Sequence, residues 1–278
     1  MFKGTVRSLM PEAIYDTFRR AKHKRAADTF PDYVSQKRVA GYPLKIVIAD
    51  PVAAEWYGDG PHHAPEIEFL KQFDLTGRTI FDLGSHQSVT SMVLAHMTGD
   101  AGDVISVEPN GHNHDIAKKN LAINGLRNVI PLRAIVSSGT FNVSIDGGLV
   151  GRTRFVSGSK PEIDIITIDD LSAAFGDPSL VFMDIEGHEI EALIGALKTL
   201  AVQHCHWLVE LHGDESLATY GHKNSDIFRF FPDGMFRALV LDVETGDFIP
   251  LTRRSLPHTR CHVFFERLRA SERDIHNF

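Results

Sequence analysis

The chain has 278 residues, enough for one large α/β domain with additions, and at 43% hydrophobic, 23% charged and 9% aromatic it falls outside the disordered and collagen-like classes. Lys and Arg number 29 against 36 Asp and Glu, and a net charge of -7 lacks the basic excess of a dedicated nucleic-acid binder. Cys205 and Cys261 form no CxxC pair, which excludes a disulfide framework and a cysteine zinc ribbon.

Met1 to Arg25 lacks the charged-then-apolar order of a secretory leader, and no apolar run approaches the roughly 18 residues of a membrane span. A soluble, cytoplasmic protein is the expectation. A helix is predicted after Pro11, with Ile14 and Phe18 one turn apart, followed by a basic run through Arg25 that reads as a solvated face. Pro43 to Pro51 reads as a short strand bounded by prolines, and residues 65 to 73, opening at Pro65-Glu66, as a helix leading into the main domain. Residues 1–64 are therefore expected to be a helical or irregular extension and residues 65–278 the main domain.

From residue 79 short apolar runs alternate with longer helical segments, the signature of βαβ units and a parallel sheet. Strands are predicted at 79–83, 103–108, 128–132, 163–168, 180–184, 206–212, 236–241 and 261–266, with helices near 88–98, 112–124, 187–202 and 216–230. The last two strands are joined through Glu244-Thr245-Gly246-Asp247 and a Pro-containing loop, which predicts an antiparallel pair at one edge of the sheet.

In open α/β sheets ligands bind at the carboxyl ends of the strands. The first of these strands ends in Asp82-Leu83-Gly84-Ser85-His86, an acid and a glycine where the chain must turn sharply. The next ends in Glu108-Pro109-Asn110, whose carboxylate can accept two hydrogen bonds from a ribose diol or cap the following helix. Together they point to a nucleoside-containing cofactor and leave nicotinamide and S-adenosylmethionine open. Further on, Asp184 ends a strand, Glu186 and Glu189 follow three apart, and Glu210 and His212 share one face of the next strand because their spacing is two. Such acids suit a sulfonium cation, a hard metal or proton removal from a hydroxyl. No GxGxxG is present, and the βαβ region has no Tyr-x-x-x-Lys dyad of the kind a short-chain dehydrogenase would need.

These motifs resemble the FkbM-type S-adenosylmethionine-dependent methyltransferases over roughly residues 65 to 266. The match rests on Phe81-Asp82-Leu83-Gly84-Ser85, Val107-Glu108-Pro109-Asn110, Ile168-Asp169-Asp170-Leu171 and Met183-Asp184-Ile185-Glu186-Gly187-His188-Glu189, followed by Val209-Glu210-Leu211-His212. The resemblance implies a Rossmann-like class I methyltransferase sheet, mostly parallel with an antiparallel edge hairpin. It places the methionine part of S-adenosylmethionine at Asp82 and Gly84 and its ribose at Glu108, with Ser85, His86, Pro109 and Asn110 among the cofactor-binding residues. Glu66 and the segment Arg133-Ala134-Ile135 are implied to approach the cofactor. The family pattern has a second glycine where this chain has Ser88. At a position with φ > 0 a serine adds strain of about 1–3 kcal/mol, whereas in a first helical turn it is tolerated. His86 stands where the family commonly has asparagine.

The activity implied is O-methylation of a hydroxyl on a sugar, glycan or natural product, with a small-molecule or glycan acceptor and no nucleic-acid partner. His212, with an ordinary pKa of about 6.5, and Asp184 are the candidate general bases. Alternatively Asp184 and Glu210 hold a divalent metal, with magnesium favoured by the oxygen ligands. The rivals are a methyltransferase-like binding module without catalysis, motivated by Ser88, and a nucleotide-cofactor oxidoreductase.

Overall fold

The computed structural model describes residues 21–22, 25–60, 64–139, 143–145, 149, 153–155, 163–251 and 255–268. The start of the helix expected after Pro11, with Ile14 and Phe18, lies outside the described residues. Strands β1 (Tyr33–Val39) and β2 (Tyr42–Ile48) pair antiparallel, Tyr33 opposite Ile48 and Val39 opposite Tyr42. Only the second is legible in the sequence. Leu44, Ile46 and Ile48 of β2 are buried, but the less exposed positions of β1 are Ser35, Lys37 and Val39, so no apolar alternation marks it. Helix α1 (Pro51–Tyr57) follows, with Pro51 in its first turn and the Asp50 carboxylate accepting the N–H groups of Val52 and Ala53, each at 2.9 Å. Helix α2 (Pro65–Leu70) leads into the sheet.

The main elements are then β3 (Thr79–Leu83), α3 (Val89–Thr98), β4 (Asp103–Val107), α4 (Gly111–Asn124), β5 (Val129–Leu132), β6 (Ala134–Val136), β7 (Val143–Ile145), β8 (Thr153–Phe155), β9 (Asp164–Ile166), α5 (Ile168–Phe175), β10 (Leu180–Met183), α6 (Glu189–Ile194), β11 (His206–Leu211), α7 (Asp214–Leu217), β12 (Phe236–Leu241), β13 (Phe248–Pro250) and β14 (Cys261–Arg267). An eight-stranded sheet runs β13-β12-β14-β11-β10-β3-β4-β5. It is parallel from β11 to β5 and antiparallel from β11 to β13. The fold is therefore mixed α/β with a mostly parallel sheet and an antiparallel edge, as expected, although the outermost strand is β13 rather than β12 or β14.

Successive side chains of the central strands alternate between two cores. Phe81, Val107, Val181 and Trp207 face one, and Ile80, Val104, Leu180 and Leu208 face the other. Burial on both faces gives these strands their continuous apolar runs. The hairpin and α1 belong to the second core, where Leu44, Ile46, Ile48 and Ala53 pack with Ile80 and Met92.

Three expectations are corrected. The strand expected at 163–168 does not join the large sheet; β9 pairs in parallel with β6 alone. The helix expected at 187–202 stops at Ile194 with Gly195 as its C-cap, a position so close to Ser137 that a Cβ there would meet its carbonyl oxygen at 2.6 Å, and a short turn of helix follows at Thr199–Ala201. The helix expected at 216–230 breaks into α7 and short turns, its path set by Asn224, whose amide donates to the carbonyls of Pro257 and Thr259. No described helix is long and apolar enough to cross a membrane.

Candidate active site

The turn after β3 is built around a close approach. A Cβ at Gly84, whose φ is +86, would lie 1.8 Å from the carbonyl oxygen of Asp184, so the ends of β3 and β10 touch backbone to backbone. His86 and Ser88 then take left-handed conformations, with φ of 50 and 60. Position 88 therefore requires φ > 0. Ser88 is buried, and its hydroxyl meets that of Ser106 at 2.8 Å. Ser106 also meets Ser85 and Ser91 at 2.8 and 2.9 Å, and Ser91 donates to Asp82. A hydrogen bond of about 1 kcal/mol offsets much of the strain of a left-handed serine. Burial pushes the carboxyl of Asp82 up to about 7 against that Ser91 bond.

Glu108, at the end of β4, accepts the backbone N–H of His86 at 2.9 Å and that of Asn110 at 2.7 Å. Burial pushes it up to about 8 despite these bonds. Asn110 caps α4 through the N–H groups of His112 and Asn113. One cleft has Asp82, Gly84, Ser85, His86, Glu108, Pro109 and Ala134 in its wall. Asn110 is a cap beside it. Glu66, expected at the cofactor, is not brought to this wall; its charged neighbours are His262 and Glu210, and burial raises its carboxyl.

Asp184 and Glu186 line the same cleft and join it to a buried charge cluster. The His212 ring donates from Nδ1 to Glu189 Oε1 at 2.9 Å, and its Nε2 lies 3.4 Å from both Asp184 Oδ1 and Glu186 Oε2. Burial works against the charged ring, but the surrounding carboxylates outweigh it and push His212 up to about 11. Three carboxylates thus favour the charged form of the ring, an arrangement that suits a base less well than the sequence suggests, because the helix and loop carrying Glu186 and Glu189 fold back over the strand end.

Arg260 Nη1 lies 3.1 Å from Glu210 Oε1, and His262 Nε2 lies 3.3 Å from Oε2. Burial acts to raise Glu210, yet His262, His212 and Arg260 hold it down at about 2. Burial and the charge of Glu210 instead hold Asp184 well above the usual carboxylate range, with His212 opposing. Ligand atoms of Asp184, Glu210 and His212 lie within 4.8 Å of one another. They do not fit the expected magnesium ion, because one donor is an imidazole nitrogen already flanked by carboxylates and the two oxygens of Glu210 already face Arg260 and the His262 ring.

Several participants escape sequence reasoning. Glu189 is called an acid of a first helical turn by its position, although it is the partner of His212. Arg260 and His262 come from the antiparallel edge, and only the register of β14 on β11, with His262 opposite Glu210, brings them in. Trp56 and Tyr57 reach the cleft wall from α1.

The profile of one family, described as the methyltransferase FkbM domain, matches residues 78–238. No curated protein matches the sequence. Among solved structures the chain is similar to an FkbM methyltransferase from Methylobacillus flagellatus KT at 16% identity and a TM-score of 0.43, covering 77% of this chain and 48% of that one. It is similar to a SAM-dependent methyltransferase from Aquifex aeolicus at 15% identity and a TM-score of 0.42, covering 79% and 94%. An rRNA methylase from Streptococcus thermophilus gives 12% identity and a TM-score of 0.45, covering 76% and 100%.

Proposed function

Because this chain belongs to the FkbM methyltransferase family, we propose that it uses S-adenosylmethionine to methylate a hydroxyl oxygen on a sugar, glycan or natural product. The observation that carries this reading is a single cleft walled by both Glu108 and Asp184, one carboxylate suited to a ribose diol and the other to a hydroxyl proton. The cleft suits the cofactor in other respects: Val107, Ala134 and Ile135 offer an apolar wall, and the buried His86 Nε2 has no protein hydrogen-bond partner. When bound, S-adenosylmethionine supplies a sulfonium methyl group for in-line displacement.

Glu108 would accept the ribose hydroxyls, and Asp82, Gly84, Ser85 and His86 would surround the methionine end. Asp184 is the proton acceptor in this scheme. Its raised pKa makes it a stronger base than an ordinary carboxylate, while Glu210 stays ionised beside it. His212 holds Asp184 in place from behind, with Glu189 fixing the ring. The Ser88 hydroxyl bond supports an intact turn rather than a degenerate one.

Calorimetric titration with S-adenosylmethionine and S-adenosylhomocysteine tests the cofactor, followed by an acceptor screen with glycans and with RNA. Micromolar binding of both ligands is expected, weakened at least about tenfold in Glu108→Ala. Asp184→Asn should abolish most turnover and leave S-adenosylhomocysteine affinity nearly unchanged. No binding at millimolar ligand, or methylation of RNA alone, would defeat the proposal.

A further inference from the structure

The family match begins at residue 78, yet Trp56 and Tyr57 of the cleft wall come from α1, ahead of it. Trp56 is 39% exposed. Its ring centre lies 4.9 Å from that of His86 and 6.1 Å from that of Tyr57, the two aromatic planes crossing at 83°. Tyr57 also packs on His86 at 5.8 Å, with its hydroxyl 3.4 Å from Nδ1. The pair is anchored in place. Asp50, which caps α1, is itself held by the Gln87 amide at 2.7 Å and by His112 Nε2 at 3.0 Å, so α1 is fastened to the turn after β3 and to α4.

This aromatic pair lines the same cleft as the acids Asp184 and Glu186. The wall thus combines an exposed indole with Asp184 and Glu186. A pyranose needs both kinds of surface, since one face of its ring presents C–H groups that pack on an aromatic plane while its hydroxyls donate to carboxylates.

We propose that Trp56 and Tyr57 form the acceptor subsite, and that the acceptor presents a pyranose ring whose C–H face lies on Trp56 while one hydroxyl reaches Asp184. This rests on the reading of the cleft as a methyl-transfer site. Helix α1 precedes the matched family domain, and in this proposal it is the element through which the chain selects its acceptor.

The full chain, saturated with S-adenosylhomocysteine, is titrated calorimetrically with methyl pyranosides of gluco, galacto, manno and rhamno configuration, with sorbitol and phenol as open-chain and planar controls. Saturable binding of at least one pyranoside and none of sorbitol is expected. Trp56→Ala should weaken that binding about tenfold, Trp56→Phe less than about threefold, and neither should shift S-adenosylhomocysteine affinity by more than about threefold. Trp56→Phe preserves the packing on His86 and so separates loss of the ring from loss of the fold. Binding of S-adenosylhomocysteine with no response to any pyranoside, a response to phenol alone, or an equal loss of cofactor affinity in Trp56→Ala would overturn the subsite. A wild type that binds no S-adenosylhomocysteine would overturn the reading of the cleft and the subsite with it.

Discussion

Ser88 combines a left-handed backbone with a buried hydroxyl bond, and the two contributions separate by mutation. Ser88→Ala keeps the strain and removes the bond to Ser106, so a loss of about 1–2 kcal/mol is expected in urea denaturation; Ser88→Gly also relieves the strain and should stay within about 1 kcal/mol of wild type. Equal losses in the two variants would remove strain from the account. His212 offers a test by pH. Its folded pKa, about 11, exceeds the unfolded value of about 6.5, so its stabilising contribution is complete below about pH 6.5 and is lost as pH rises toward 11. The stability difference between wild type and His212→Gln should therefore be largest near pH 6 and shrink toward pH 10. A difference that does not change with pH would show that the ring is neutral. Asp82, Glu108, Asp184, Glu210 and His212 were all legible as strand-end residues, but the charge on His212 was not. It depends on Glu186 and Glu189, which reach the ring only after the chain reverses, with Glu186 at a φ of 57.

At the scale of elements, α4 completes the edge of β2. Asn120 accepts the Val47 N–H at 2.7 Å, while Asn124, one turn on, accepts the Lys45 N–H at 2.9 Å and donates to the Lys45 carbonyl at 2.7 Å. Two amide side chains thereby do the work of a neighbouring strand. Asn120→Ala leaves the Val47 N–H and the Gln87 carbonyl without these partners, and a loss of about 2–3 kcal/mol is expected. Hydrogen exchange should accelerate at Val47; unchanged protection there would show that another group satisfies it. The pairing was invisible in the sequence because it depends on polar residues spaced for a helix, whereas the central strands announced themselves through apolar runs buried on both faces. Strand β13 was missed for a related reason: Phe248–Pro250 is too short and too exposed to carry a pattern.

For the whole molecule, both faces of the large sheet must be covered, and residues 33–60 cover part of one. Val39, Leu44, Ile46, Ile48 and Ala53 are at most 2% exposed and share a core with Leu94 and Leu180. A chain cut to residues 65–278 should lose cooperative unfolding and bind a dye for exposed apolar surface. Cooperative thermal unfolding of that fragment would show that the boundary expected at residue 65 is a true domain boundary. The mostly parallel sheet with its antiparallel edge was legible because βαβ spacing constrains it, while the position of the hairpin was not, since its contacts with α3 and α4 span long stretches of chain.

The contact between Gly84 and the Asp184 carbonyl has a mechanical consequence. Two strand ends that abut through backbone atoms cannot slide or separate without opening the sheet between them, so the turn that carries Ser85 and His86 and the loop that carries Asp184 and Glu186 behave as one solid piece. The gap between whatever occupies the first and whatever meets the second is machined into the chain before either arrives, and alignment there requires no hinge.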